Sequence, residues 1–310
     1  MGFYDQFWQL TITGLLIGAI YAVIALGYTL VYGVLQLINF AHSEVFMLGA
    51  FGGLFAVRAL TPAGPLNTLD SVLLVAAGLI LGAVAGGIAA FVLERTAYRP
   101  LRKRGAPRLA YLISAIGASL FASNLAGKEF GRDSVNLPTD LFDYNTEVFS
   151  IFGAEVRKLD LVVFATALGM LIILDRIVSG TQLGRGIRAV AQDADTASLM
   201  GVNVERIIVL TFILGGLLAG AGGFLYAMRT NASFTMGFIP GVKAFTAAVL
   251  GGIGNVRGAV LGGLLLGIIE NYGQYFLGAD YIDVVAFLVL VIILLVRPSG
   301  LLGERLGRAA

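Results

Sequence analysis

The sequence predicts an all-α polytopic membrane protein with about eight transmembrane helices, some of them broken or re-entrant half-helices. Three observations carry this. Of 310 residues, 58% are hydrophobic, 42 are glycine and only 13% are charged, whereas soluble domains carry roughly 25% charged residues. The charges leave gaps of spanning length, since about 30 Å of hydrocarbon takes roughly 20 apolar residues at about 1.5 Å each. Other apolar segments are short and flanked by Gly and polar residues, a pattern that lipid tolerates only where the segment packs inside protein. Soluble enzymes, disulfide scaffolds and disordered chains are thereby excluded.

Between Asp5 and Glu44 the only acidic or basic residue is His42. A straight helix over that stretch would be about twice the membrane thickness, so it must tilt, end or break, and a first span is placed at 10–37. Plain spans follow at 71–93, 109–126, 161–174 with a continuation to 178, and 207–228. Segments 45–60 (which contains Arg58), 244–256, 258–277 and 284–296 read as half-helices or re-entrant hairpins. No basic region precedes the first apolar run, so no cleavable signal peptide is expected and the first helix is retained.

Basic residues in short connections set the orientation. Arg95, Arg99, Arg102, Lys103, Arg104 and Arg108 crowd one connection, and Arg297, Arg305 and Arg308 the tail, which places both in the cytoplasm. The connection at about 179–206 then falls on the same side. The acidic segment at about 127–160, with Asp133, Asp140, Asp143 and Glu147, is extracytoplasmic, as is the N-terminus. The whole of 1–310 reads as a single transmembrane domain.

Glycines recur four residues apart at Gly14/Gly18, Gly49/Gly53, Gly82/Gly86, Gly216/Gly220, Gly258/Gly262 and Gly263/Gly267. That spacing lets helix backbones approach closely in lipid. A long helix, a polar break and a short Gly-rich helix occur at 10–60 and again at 207–256 in the opposite orientation, as in the inverted repeats of transporters.

Three segments carry functional information. Asn39, His42, Ser43 and Glu44 interrupt a very apolar region, and intramembrane polar groups are pathway candidates. Equally, Ser43 or Asn39 could cap the next helix, and a helix start inside a bundle can receive an anionic group. From Gly184 to Gly201, Ile187, Val190, Ala194 and Ala197 fall at helical spacing, which predicts one short amphipathic helix ended by Gly201, with Asn203 starting the next. Its small apolar residues suit a protein partner better than lipid. Near 241–259, two short helices meet at a Gly252–Gly258 turn. Lys243 and Thr246 could face a water-filled route there, or Lys243 could snorkel to the interface.

Absences narrow the chemistry. Zero Cys and a single His cannot build a zinc, haem or thiol site, so no metal or cofactor is expected. There is no Walker phosphate loop, dinucleotide fingerprint or Gly-x-Ser-x-Gly elbow, and no charged tail for nucleic acid. The chain reads as non-catalytic.

These residues resemble a known family. Asn39-Phe40-Ala41-His42-x-Glu44 with Met47 and Gly49, Glu94-Arg95-x-x-Tyr98-Arg99-Pro100, 112–117, 188–201, 243–254 and Pro298-x-Gly300-Leu301-Leu302-Gly303 are similar to the permease subunits of bacterial and archaeal branched-chain amino acid ABC importers, specifically the first of the two paired permeases. Ser43 departs from the Gly expected of the family. The resemblance implies an ABC importer permease bundle in the plasma (inner) membrane. It also implies a second homologous permease, two ABC ATPase subunits and an extracytoplasmic amino-acid-binding protein as partners, and alternating access as the mechanism. Asp195-Thr196-Ala197-x-x-x-Gly201 is similar to the ATPase-coupling pattern, so Arg188, Gln192, Asp193, Asp195, Ala197 and Gly201 are the coupling candidates. Asn39, His42, Glu44, Lys243 and Thr246 are the pathway candidates. The competing readings are the same machine carrying urea, short amides or aromatic compounds, and a stand-alone channel or ion-coupled carrier.

Overall fold

The computed structural model describes residues 3–62, 66–136 and 146–303. Asp140, Asp143, Arg305 and Arg308, used above for orientation, lie outside them. Helix α1 (Phe3–Leu35) is followed by a non-helical segment and α2 (His42–Leu60). Helix α3 (Thr68–Leu93) continues through a π-helical turn, Glu94–Tyr98, into α4 (Arg99–Lys103), and α5 (Arg108–Glu129) follows. An antiparallel hairpin, β1 (Glu147–Ile151) and β2 (Ala154–Arg157), leads into α6 (Lys158–Gly180). Then come α7 (Gln182–Gln192), α8 (Ala194–Leu199), α9 (Val204–Arg229), α10 (Phe238–Gly251), α11 (Val256–Leu277) and α12 (Ile282–Val296). Among the described residues seven helices are long and apolar enough to cross a membrane, and the bent pair α10–α11 raises this to eight.

Two of the four segments expected to be partial, 45–60 and 284–296, are instead of full length, while 244–256 and 258–277 form the expected bent pair. Helix α2 is a 19-residue span, because Arg58 sits in its last turn and reaches the Asn136 carbonyl (3.0 Å) without interrupting it. A 3-10 turn, Ala279–Tyr281, extends α12 to an 18-residue span, whereas α11, with 22 residues, is apolar enough to cross only together with α10. Only α10 is short: its 14 residues reach about 21 Å, less than the hydrocarbon thickness. It turns into α11 through Gly252 and Gly254, both at positive φ (110° and 95°), with a bend of 120°. Downstream, the Leu301 and Leu302 N–H groups donate to the Leu250 and Gly251 carbonyls at 2.8 Å each. The end of α10 is thereby satisfied by chain some 50 residues later.

The centre is α1 and α9, with 67% of their most apolar windows buried, against 11% for α12. Glycine determines what packs there. Gly14 and Gly18 of α1 lie against the backbone around Gly267 and Gly263 of α11; a Cβ on Gly18 would stand 2.8 Å from the Leu264 Cα. Gly49 of α2 and Gly82 and Gly86 of α3 converge on Gly216 and Gly220 of α9, and Gly258 and Gly262 close on Gly251 and Ala247. Every predicted glycine pair is thus used in a close helix contact.

Helices α1 and α9 run antiparallel, with Gly27 opposite Gly215 and Val23 and Ile24 opposite Gly222. One end of the bundle holds Tyr98, Tyr111, Ile187, Val190 and Phe212 in a second core beneath the Arg-rich connection. The other end carries the hairpin, the Asp160–Arg229 ion pair (2.8 Å) and the Val135–Ala232 bridge. Helices α2 and α10 start from a common point, where Ser43 meets Gly237 and Gly241, and run toward opposite ends. The sequence echo of 10–60 and 207–256 corresponds to this opposed arrangement.

Gly220→Ala places a methyl group against Gly82 and Gly86 and should lower stability by roughly 1–3 kcal/mol through overpacking. The matched Gly117→Ala, which meets nothing within 4 Å, should not. Thermal unfolding of the purified protein in detergent compares the two.

Candidate functional site

The break after α1 begins at Gln36, which adopts φ 54° while its N–H still bonds the Tyr32 carbonyl (2.7 Å). The chain then folds back into the bundle, so that α2 starts beside the last third of α1. There the His42 ring meets Tyr28 edge to face, with centroids 4.6 Å apart, and lies against Gly27. Neither Ser43 nor Asn39 caps α2, contrary to one sequence expectation. Ser43 Oγ donates to the Phe40 carbonyl (2.7 Å), and Asn39 Oδ1 accepts from the Tyr98 hydroxyl (2.8 Å).

Glu44 is 4% exposed. Its Oε1 accepts from Ser119 Oγ of α5 (3.0 Å) and Ser43 Oγ (3.5 Å), while Oε2 has no hydrogen-bond partner. That free oxygen faces Gly237, the residue preceding α10; a Cβ there would stand 3.0 Å from it. The first N–H groups of a helix lack intrahelical partners and carry partial positive charge. A buried carboxylate and two helix starts therefore share one point. A cleft of about 50 Å³ opens beside Glu44 between Val45, Leu48, Ala89, Leu93, Ala118 and Ala122. A larger one, about 250 Å³, lies along the break at Tyr32, Gln36, Leu37, Ile38, Arg108, Tyr111 and Leu112.

Lys243 belongs to a separate cluster. It does not snorkel: its ammonium pairs with Glu270 and with Asp283 Oδ1 (2.7 Å), and the Tyr21 hydroxyl donates to Glu270 Oε1 (3.3 Å). One cation thus joins α10 to α11 and α12, with α1 attached through Tyr21. Thr246 is fully buried and returns its hydroxyl to the Val242 carbonyl (2.9 Å). Sequence reasoning missed Glu270 and Asp283. Glu270 is the lone carboxylate in a Gly-rich apolar helix, and that alone signals a buried partner.

The connection at 179–206 forms two helices where one was expected. Asp193 takes an extended backbone (φ −160°) and its carboxylate caps α8, accepting from the N–H groups of Asp195 (2.9 Å) and Thr196 (3.1 Å) and from the Thr196 hydroxyl (2.7 Å). These bonds hold the Asp193 carboxyl below the usual carboxylate range. Helix α8 ends as predicted at Gly201 (φ 84°). The Gly201 N–H bonds the Ser198 carbonyl and the Val202 N–H the Ala197 carbonyl, 3.0 Å each, which is the Schellman pattern. Asn203 Oδ1 caps α9 through the Arg206 N–H (3.0 Å).

Ile187, Val190 and Ala197 face the bundle, so Ala197 is a packing residue and not part of an outer surface. Arg188 donates to the Val178 carbonyl, while Gln192, Asp193 and Asp195 are exposed. The outward apolar residues are Leu199 and Met200, 89% and 80% exposed. They lie off the inward stripe, which is why its spacing did not reveal them.

A bundle of this size with a broken helix pair, buried charges at its centre and an amphipathic connection at one end defines an all-α polytopic membrane permease. The chain belongs to the family described as branched-chain amino acid transport system / permease component, whose model matches residues 10–294, as the sequence resemblance implied. It is 41% identical over 301 residues, 96% of each chain, to the high-affinity branched-chain amino acid transport system permease protein LivH of Salmonella typhimurium. It is 40% identical to the corresponding protein BraD of Pseudomonas aeruginosa, over 96% of this chain and 95% of that one. The fructose import permease protein FrcC of Rhizobium meliloti is similar over part of its length, 29% identical across 44% of this chain and 40% of that one.

Lys243→Met leaves Glu270 and Asp283 facing each other without a counter-charge. The expected loss is about 3–5 kcal/mol, the range for breaking one side of a buried pair. Adding Glu270→Gln should recover part of it, as read from melting temperatures in detergent.

Proposed function

We propose that this chain is one permease subunit of an ATP-driven importer for branched-chain amino acids, acting as a single transmembrane domain of the plasma membrane. The observation that carries the reading is the junction of α2 and α10, where Glu44 keeps one carboxylate oxygen free beside two helix starts. A zwitterionic amino acid needs the same two complements. Its ammonium would meet Glu44 Oε2, its carboxylate the positive dipole end of α10, where Pro240 offers no N–H of its own, and its aliphatic side chain the Val45 and Leu48 wall. The cargo class rests on what the LivH and BraD relatives are named for.

The Arg-rich end is taken as cytosolic and the hairpin end, with the N-terminus, as extracytoplasmic, following the basic residues. Cargo then passes from the Glu44 junction, past Asn39 and His42, into the cleft beside 36–38. Ser119 ties Glu44 to α5, a helix with only 17% of its apolar window buried, so α5 can shift against α2 as the route opens. Alternation needs two states that the partners bias by differential contacts. Helices α7 and α8 would present Leu199, Met200, Gln192, Asp193 and Asp195 to an ATPase subunit, with Arg188 and Gly201 fixing their shape. A second homologous permease, two ATPases and an amino-acid-binding protein complete the machine; hydrolysis belongs to the ATPases, and this subunit catalyses nothing.

The test is uptake of labelled leucine, urea and fructose into proteoliposomes containing this chain with its co-encoded permease, ATPases and binding protein. ATP-dependent leucine uptake in the full set alone is expected. Uptake of urea or fructose instead would change the cargo, and transport by this chain alone would overturn the importer reading. In the full set, Glu44→Gln should lower leucine uptake about tenfold or more, the scale of one charge-assisted hydrogen bond, with the ATPases still bound. Paired Leu199→Asp and Met200→Asp should abolish co-purification of the ATPase subunits while leaving the permease folded.

A further inference from the structure

The π-helical turn at Glu94–Tyr98 plays no part in the reading above, yet a run of direct bonds passes through it. Glu205 lies in the first turn of α9, four residues after the glycine that ends α8. Arg102 grips it with two bonds, Nε to Oε1 (2.8 Å) and Nη2 to Oε2 (3.0 Å), and the same Nη2 donates to Glu94 Oε1 (2.8 Å). Glu94 is fully buried and opens the π turn, which closes with the Arg99 N–H bonded to the Glu94 carbonyl. At the far end of the turn Tyr98, 1% exposed, packs its ring on Phe212 of α9 (5.2 Å) and donates its hydroxyl to Asn39 in the break between α1 and α2.

Single π turns inside α-helices are rare and concentrate at functional sites. Such a turn holds one residue too many for α-geometry, so its relaxation rotates everything beyond it by about 100°, one residue's share of a 3.6-residue turn. That rotation is enough to carry Tyr98 off Asn39. The Arg102 guanidinium is shared between Glu94 within the turn and Glu205 on α9, Arg99 just past the turn also pairs with Glu205 (3.3 Å), and α9 is joined to α8 by only four residues, 200–203.

We propose that Tyr98 is a positioning residue of the transport cycle: displacement of the α8–α9 connection is passed through Glu205 and Arg102 to the π turn, which makes or releases the Tyr98–Asn39 bond and so closes or opens the break between α1 and α2. This rests on the importer reading, in which α8 is the part an ATPase moves.

The experiment is a double-mutant cycle with Tyr98→Phe and Glu205→Gln in the full reconstituted transporter, reading leucine uptake, ATP hydrolysis and ATPase co-purification. If Glu205→Gln fails to insert, Arg102→Lys takes its place, since a lysine cannot bridge the two carboxylates as the planar fork does. Each single variant is expected to lose about tenfold in uptake, within the usual range of coupling energies, while keeping its ATPases and their hydrolysis, so that more ATP is spent per leucine. The double variant should be no worse than the poorer single, because both act on one connection. Unchanged uptake in the singles, losses that multiply in the double, or hydrolysis and assembly falling in step with uptake would each overturn the relay. A wild-type complex without ATP-dependent uptake would overturn the importer reading beneath it; a wild type that transports, with variants that match it, overturns the relay alone.

Discussion

Helices in lipid gain nothing from hiding apolar surface from one another, so this bundle depends on backbone approaching backbone. Lipid tails solvate leucine as well as another helix does, and what remains is dispersion at close range together with a few polar bonds. The glycines supply that range. Helices α2, α3 and α9 meet at Gly49, Gly82, Gly86, Gly216 and Gly220, and α1 meets α11 at Gly14, Gly18, Gly263 and Gly267. The two helices so gripped, α1 and α9, are also those that flank the breaks. The discontinuous elements are therefore held by the tightest part of the molecule.

Close packing has an electrostatic consequence. A chain that opens its helices at mid-bundle exposes backbone dipoles and side-chain charges to a medium of low polarity, where each needs a partner. Two solutions coexist here. Around Lys243 the charges are closed upon one another, which fixes the short helix α10 against α11, α12 and α1. Around Glu44 they are left one partner short. The first arrangement suits a fixed frame and the second a place where something arrives and leaves; Lys243 sits on the 14-residue helix α10, and Glu44, on α2, faces the residue that precedes it.

Much of this was legible in the sequence because it follows from local pattern. Charge gaps marked the spans, glycine spacing marked the contacts, and Gly201 and Asn203 marked the boundary between α8 and α9. The break between α1 and α2 was legible because 310 residues with so few charges cannot hide Asn39, His42 and Glu44. What escaped was set by distance along the chain. Lys243 finds Glu270 27 positions away and Asp283 40 positions away, and no spacing rule connects them. The cap by Asp193 that splits the amphipathic connection was missed because Ile187, Val190, Ala194 and Ala197 keep one helical period across the bend. The shortness attributed to α2 came from counting Arg58 as an interruption, when a basic side chain in a last turn can reach out of the helix to a loop carbonyl.

The bonds from Leu301 and Leu302 to Leu250 and Gly251 fix an order of assembly. A chain enters the membrane from its N-terminus, so α10 and α11 are made while the carbonyls at their turn still lack those partners. Those two carbonyls gain their partners only after α12 has been threaded and the residues beyond it have come round. The turn between α10 and α11 therefore takes its final form only once the chain beyond α12 is in place.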